Sequence, residues 1–405
     1  MLLYSRSSTS YSENLKIMDE LKVLTLNTWG LLYISKNIEE RMNALANKLA
    51  EGNYDIVALQ EVFSIRIYER ICEQVKDALP YSHYFHSGFL GSGCATFSKY
   101  PIIDTYFHKY LHNGYFWDFT HGDWYAGKGI GCTLIKHPKK TIYCLNTHLH
   151  ASYGASDFTE CRSLQAYQIT QLLRHTTRPD DAVIICGDFN HEPDELGIKV
   201  LLGLTDLKDT YAIAKEKPDE CITSSNLNPY NDHSDTPSRI DYIFVNNDFD
   251  CSSCSLTFQE IPGTDMRYSD HEGYTTTLRF KQDKDDVPVK TDEQCEILSK
   301  LSQVIKTGEK MSKRITWSRF FMVLFFFVVF NAIPVLLGEM FPTCGSWIGK
   351  CLFIVQLFVI VVSVVYFVMV VVVTRQIHER DFKNVFKEID LRLKVLRGFD
   401  NKKFD

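Results

Sequence analysis

The chain has 405 residues, 45% hydrophobic and 23% charged, with a formal net charge of -6. This composition excludes wholesale disorder, and the acidic balance disfavours a nucleic-acid binder with a basic stripe. The length allows two or three domains, and the opening apolar run, MLLY, is too short for a signal-peptide core.

Residues 1–20 are polar and read as a flexible segment. Val23–Leu26 reads as a strand. Glu39 to Leu49 places Met42, Leu45, Ala46 and Leu49 at helical spacing. Asp55–Leu59 is a strand and Ile65–Leu79 a helix; Thr141–Thr147 is a strand, Thr159–Leu173 a helix and Asp181–Cys186 a strand. Arg239–Val245 and Tyr274–Phe280 close the set. The alternation fits a mixed α/β sandwich, two sheets flanked by helices. Residues 215–238, with Pro218, Pro229 and Pro237, read as a long surface loop, and 282–291 as a charged linker.

Beyond the linker the pattern changes. Phe320 to Leu337 is 18 residues without a charge, and Cys351 to Val373 is 23 more. At 1.5 Å rise per residue, each is long enough for a hydrocarbon core about 30 Å thick. The expectation is a transmembrane hairpin: a juxtamembrane helix at 292–319, spans at 320–337 and 351–373, a luminal loop at 338–350 and a cytosolic C-terminal helix at 374–405. Lysines and arginines flank the outer ends of both spans, while the loop has only Lys350, so both termini are expected in the cytosol. Apolar stripes at Ile297, Leu298, Leu301, Val304 and Ile305, and at Phe382, Val385, Phe386, Ile389, Leu393 and Leu396, fit an antiparallel stalk. The 12 cysteines suit a reducing compartment, and Cys251-Ser-Ser-Cys254 has no second pair nearby for zinc.

Acidic, amide and imidazole groups recur where strands stop. Asn27 lies in LNTWG, Glu61 in LQEV, His148 and His150 in NTHLH, Asp188 and Asn190 in CGDFN, Asp241 in RIDY, and Asp270 and His271 in SDHE. Carboxylate and amide oxygens suit a hard cation such as Mg²⁺, and histidines beside them suit proton transfer. Each motif alone is weak; six in one chain form a strong signal.

Their order resembles the endonuclease/exonuclease/phosphatase superfamily over about residues 21–280. The glycine-rich segments at 88–101 and 121–129, with Thr147–Ala151 and the hairpin, are similar to the neutral sphingomyelinases. The resemblance implies a four-layer, DNase I-like α/β sandwich at 21–281 with Mg²⁺ as cofactor. It implies a phospholipase C that releases phosphocholine from sphingomyelin and leaves ceramide in the bilayer, with choline lysophospholipids as further substrates. It implies Glu61 as principal metal ligand, Asn27 beside it and Asp270 on the metal side. Asp188 and Asn190 would hold the phosphate and attacking water, His271 would be general base oriented by Asp241, and His148 would face the phosphate from the other side.

Lys128, in a Gly-Lys-Gly context, reads either as a phosphate contact or as a solvent-facing strand lysine. Leu31–Ile34 and the aromatic run Tyr115–Phe119 with Trp124 and Tyr125 read either as interfacial, lipid-admitting groups or as packing against the sandwich. The rivals are a nuclease, which would want basic surface, a phosphoinositide phosphatase, which would want a basic grip where His191 follows GDFN, and a catalytically silent membrane scaffold. The expected partners are membrane sphingomyelin and the bilayer, not nucleic acid. The expected location is the endoplasmic reticulum or nuclear envelope.

Overall fold

The computed structural model describes residues 20–115, 122–152, 158–233, 236–282, 291–340, 346–369 and 375–398, with the side chains at 330, 331, 333–340, 346–350, 352, 375 and 377 outside that description. The expected flexible segment and most of the expected linker lie outside these residues.

Strand β1 (Glu20–Asn27) is apolar on both faces, as a strand covered on two sides must be. Leu24 and Leu26 join one buried cluster, Leu21 and Val23 another. The same period of two divides β2 (Ile56–Gln60): Val57 and Leu59 face the first cluster, Ile56 and Ala58 the second. Helices α1 (Ile38–Ala50) and α2 (Ile65–Val75) lay Met42, Leu45, Leu49, Ile67, Ile71 and Val75 into the first cluster. Burying each such side chain contributes about 1.5–3 kcal/mol before the entropy of ordering it.

The remaining strands are β3 (Tyr81–Tyr84), β4 (Ala95–Ser98), β5 (Ile102–Lys109), β6 (Gly129–Lys136), β7 (Thr141–His148), β8 (Ala182–Asp188), β9 (Lys208–Asp209), β10 (Asp241–Val245), β11 (Phe249–Thr257) and β12 (Gly273–Phe280). One sheet runs β11-β12-β1-β2-β4-β3, the other β5-β6-β7-β8-β10-β9. The second cluster lies between them, where Ile142, Cys144, Ile184, Cys186, Ile243 and Val245 meet the inner residues of β1 and β2. A third cluster covers the outer face of the second sheet, where Ile169 and Leu173 of α4 (Thr159–Thr176) and Ile198 and Leu201 of α5 (Leu196–Leu204) meet Leu145, Val183 and Ile185. Helix, sheet, sheet, helix is the expected four-layer sandwich. Gln60 Nε2 donates to Asn146 Oδ1 across the sheets at 2.7 Å, and Asn146 Nδ2 donates to Leu59 O and Ala95 O at 3.0 Å each.

Cys251 and Cys254 on β11 are free and buried, with Cys251 Sγ 2.9 Å from Thr276 Oγ1. No metal-ligating group gathers around them among the described residues.

Two compact units divide the chain: residues 1–114 with 120–297, and 298–405 with 115–119. Helix α7 (Thr291–Met340), in the second unit from Leu298 onward, runs unbroken through the expected juxtamembrane helix and first span, followed by α8 (Ser346–Phe367) and α9 (Arg375–Leu396). Arg397 Nη2 donates to Ser299 Oγ at 3.2 Å, Lys306 Nζ sits 4.7 Å from the centre of the Phe386 ring, and the Phe320 and Phe367 rings are 5.3 Å apart. The descending partners show that α7 and the returning chain are antiparallel, and Leu301, Ile305, Phe382, Val385 and Ile389 of the two apolar stripes are buried. Parts of both expected spans (330, 331, 333–337, 352 and 370–373) lie outside the described side chains or residues, and among the described residues no helix is long and apolar enough to cross a membrane. Of the expected interfacial run, Tyr115 is buried, its ring 5.2 Å from that of His378, and 116–119 lie outside the described residues.

Candidate active site

Register brings the chemical residues together. His148, Asp188 and Asp241 are direct neighbours on β7, β8 and β10, so three motifs far apart in sequence share one edge of the second sheet. Asn27 pairs with Gln60 at the same end of the first sheet, with Glu61 next in sequence, and Asp270 and His271 immediately precede β12.

The backbone there is unusual. Trp29, Glu61 and Asn190 have φ of 48°, 58° and 48°, a left-handed region that non-glycine residues avoid and that clusters at functional sites. Two glycines make room for Glu61: a Cβ on Gly30 would sit 2.4 Å from Glu61 O, and one on Gly93, itself at φ 72°, 3.0 Å from Glu61 Cα.

Asn27 Nδ2 donates to Glu61 Oε1 at 3.1 Å and to Asp188 Oδ2 at 2.9 Å. Asn27 Oδ1 accepts from Trp29 N at 3.0 Å. Ser269 Oγ lies 2.6 Å from Asn27 O and 3.0 Å from Asp270 Oδ1. His271 Nδ1 is 2.8 Å from Asp241 Oδ2, which fixes the ring and turns Nε2 toward Asp188 Oδ2, 3.9 Å away. Asn190 N donates to Asp188 Oδ1 at 2.9 Å, and Asn190 Nδ2 to Leu149 O at 3.1 Å.

The electrostatics follow from crowding carboxylates in a buried place. Burial, then Asp270, pushes Glu61 up to about 7. Burial, then Asp241, pushes Asp188 up to about 6, and burial raises Asp270 as well. For His271 burial opposes the charged form, but Asp241, Asp270 and Asp188 outweigh it and hold the ring well above the usual imidazole range.

A second network meets the first at His148. Lys128 Nζ is 2.8 Å from His148 Nε2, donates to Leu149 O at 2.7 Å, and pairs with Asp123. An ammonium has no lone pair, so His148 Nε2 accepts from it. Burial and this cation push His148 well below the usual range, which keeps the ring neutral. Asp188 Oδ2 lies 3.5 Å from the same nitrogen. His150 is buried, its Nδ1 2.7 Å from Ala151 O.

Asn27, Glu61, His148, Asp188, Asn190, Asp241, Asp270 and His271 thus converge, and Lys128 reaches them through His148. Trp124 and Tyr125 lie on the short helix α3 (Asp123–Ala126), their rings 5.1 Å apart, with Tyr125 O accepting from Phe89 N and Leu90 N. His191 is packed in the interior, its Nδ1 2.8 Å from Phe189 O. Sequence reasoning missed Asp123, Ser269 and Arg41. Asp123 and Ser269 lie inside quoted motifs, but Arg41 sits in an ordinary amphipathic helix and carried no signal.

The donor set fits a divalent cation. Asp188, Asp241 and His271 each bring one ligand atom within 4.8 Å of the others, and Asp241 Oδ1 is buried with no hydrogen-bond partner. Three half-buried or buried carboxylates with raised pKa values are short of positive charge, and oxygen donors are what Mg²⁺ takes.

The sequence profile described as "Endonuclease/Exonuclease/phosphatase family" matches residues 24–271. A putative neutral sphingomyelinase of Drosophila melanogaster is 35% identical over 305 residues, covering 73% of this chain and 67% of the relative. An inositol phosphosphingolipids phospholipase C of Schizosaccharomyces pombe is 36% identical over 292 residues, covering 65% of this chain and 69% of the relative. The crystal structure of Staphylococcus aureus beta toxin with bound magnesium ions superposes with a TM-score of 0.54 at 20% identity, over 65% of this chain and 100% of the toxin, a likeness of fold. With the profile spanning every motif from β1 to His271, the chain belongs to the endonuclease/exonuclease/phosphatase family.

Proposed function

We propose that the chain is a Mg²⁺-dependent neutral sphingomyelinase, a phospholipase C that hydrolyses sphingomyelin to ceramide and phosphocholine, and that also accepts choline lysophospholipids. The observation that carries the reading is the pairing of Asp241 with His271 at 2.8 Å, aimed at the edge where Asn27 joins Asp188. Similarity to the Drosophila protein supplies the substrate class.

Glu61 with Asn27 and Asp270 would hold Mg²⁺, which when bound neutralises charge on the phosphoryl oxygens. His271 Nε2 takes a proton from the attacking water, while Asp241 holds the Nδ1 proton and stabilises the imidazolium that forms. Asp188 and Asn190, locked together at the end of β8, orient that water and the phosphate. His148, kept neutral by burial and by Lys128, approaches the same Asp188 oxygen as His271, its Nε2 3.5 Å from Oδ2.

The apolar runs in α7 and α8 are proposed as a membrane hairpin of two spans, with both termini and the hydrolase cytosolic, in the endoplasmic reticulum or nuclear envelope. Phe321, Phe325, Phe353, Ile354 and Phe358 are each 60% or more exposed, which a lipid surround would remedy. A second reading has specific support: the Schizosaccharomyces relative is named for inositol phosphosphingolipids, so an inositol head group is the rival to choline. Release of phosphocholine from sphingomyelin, compared with release of inositol phosphate from an inositol phosphosphingolipid, separates the two. Hydrolysis of only the inositol lipid would overturn the choline reading and leave the chemistry standing.

A further inference from the structure

Arg41, on α1, is fully buried and forms no ion pair among the described residues. Its guanidinium is spent on backbone carbonyls: Nε donates to Lys36 O at 2.8 Å, Nη1 to Thr28 O and Tyr268 O at 2.8 Å each, and Nη2 to Trp29 O at 2.7 Å. The guanidinium carbon lies 5.0 Å from the centre of the Trp29 ring and 5.7 Å from that of Tyr230, and those two rings are 4.9 Å apart.

The segments it gathers are those that present the cation-side residues. Thr28 and Trp29 directly follow Asn27. Tyr268 precedes Ser269 and Asp270. Thr28 N donates to Gln60 O at 2.9 Å, and Gly30 lies against the backbone of Glu61, so the segment that Arg41 fixes also walls Glu61. Among the described residues no other charge-assisted bond joins 28–29 to 268, and such bonds are roughly twice as strong as neutral ones. A planar fork of five donors can satisfy four carbonyls at fixed angles, and a lysine ammonium, with three donors on one atom, cannot.

We propose that Arg41 is a positioning residue for the cation site: by clamping the loops after β1 and before β12 it sets the separation of Asn27, Glu61 and Asp270. The assignment rests on the metal-dependent reading above. It also places positive charge where the Asp270 carboxylate benefits.

Mn²⁺ binding to the full-length protein, followed by electron paramagnetic resonance without substrate, tests the assignment. The unaltered chain should bind Mn²⁺, and Glu61→Gln should lose it. Arg41→Lys should bind about 10–100-fold more weakly, the range seen when an outer-shell partner is removed. Ile71→Ala, a core truncation beneath the first sheet, should lower thermal stability and leave Mn²⁺ affinity unchanged, separating positioning from stability. Should Arg41→Lys not fold, Tyr230→Leu carries the test, with about 2–5-fold weaker binding expected from loss of one ring over the guanidinium. Unchanged affinity in a folded Arg41→Lys, or in Tyr230→Leu where that variant stands in, overturns the Arg41 assignment alone. Failure of the unaltered chain to bind Mn²⁺ overturns the metal reading and this one with it.

Discussion

Asn27 and Asp188 stand on different sheets, 161 residues apart, and Asn27 Nδ2 donates to Asp188 Oδ2 at 2.9 Å. The same nitrogen reaches Glu61 Oε1 at 3.1 Å. One amide therefore tethers two carboxylates, each of which burial and a different neighbouring carboxylate push up.

Asn27→Ala removes the donor shared by both. Activity on sphingomyelin should fall about 10²–10³-fold, the usual loss for an oriented polar group in a water-poor site. Stability should fall by about 1–3 kcal/mol, because two buried acceptors lose their partner. Steady-state rates and thermal denaturation check both values.

Asp241 and His271 should act as a unit. Asp241→Asn is expected to lower kcat about 10²–10⁴-fold, and adding it to His271→Ala should cost little more. In Asp241→Asn the ring loses the nearest charge that raises its pKa, so the acid limb of the pH–rate profile should move to lower pH. Additive losses, or an unmoved acid limb, would remove Asp241 from that role.

The carboxylates make stability depend on pH. Glu61 and Asp188 have folded pKa values raised to about 7 and about 6, above their values of 4.5 and 3.8 when unfolded. Between those values the folded chain binds more protons than the unfolded one, so stability falls as pH rises. His271 acts in the same sense, its contribution present below its unfolded pKa and lost as pH climbs through the raised one. Metal-free protein should therefore lose on the order of a few kcal/mol between pH 4 and pH 8. Mg²⁺ should restore more stability at pH 8 than at pH 5.5, measured by denaturant titration with and without EDTA.

Lys128 and Asp123 form a buried ion pair whose cation also bonds His148. Lys128→Met leaves Asp123 as a buried charge without its ammonium and should destabilise the fold by about 3–5 kcal/mol. With that cation gone His148 titrates at higher pH, because Lys128 is the chief charge holding it down. Nuclear magnetic resonance of the His148 ring reads the change.

Much of the sandwich is legible in sequence because β2, β8 and β10 carry continuous apolar runs, which central strands covered on both faces require, and β1, β7 and β12 are rich in β-branched and apolar residues. The unread strands lack that pattern. β3 and β4 have four residues each, and β5 is a sheet edge with Ile103 and Tyr106 exposed. β6 begins Gly-Ile-Gly, where Gly131 leaves space for the Phe85 ring. Site residues were readable because they end strands, so register carries them to one edge. Arg41 was not, since its partners are carbonyls of distant loops and no side-chain motif marks them. The fate of Lys128 was open for the same reason: only the fold reveals that its three donors meet His148, Leu149 and Asp123.

The decisive measurement is phosphocholine release from sphingomyelin vesicles by the purified full-length protein at neutral pH, with Mg²⁺ varied against EDTA and His271→Ala in parallel. Release should require Mg²⁺ and should be abolished in His271→Ala. Release that survives EDTA or the loss of His271, or no release where DNA or a phosphoinositide is hydrolysed instead, would contradict the proposed function.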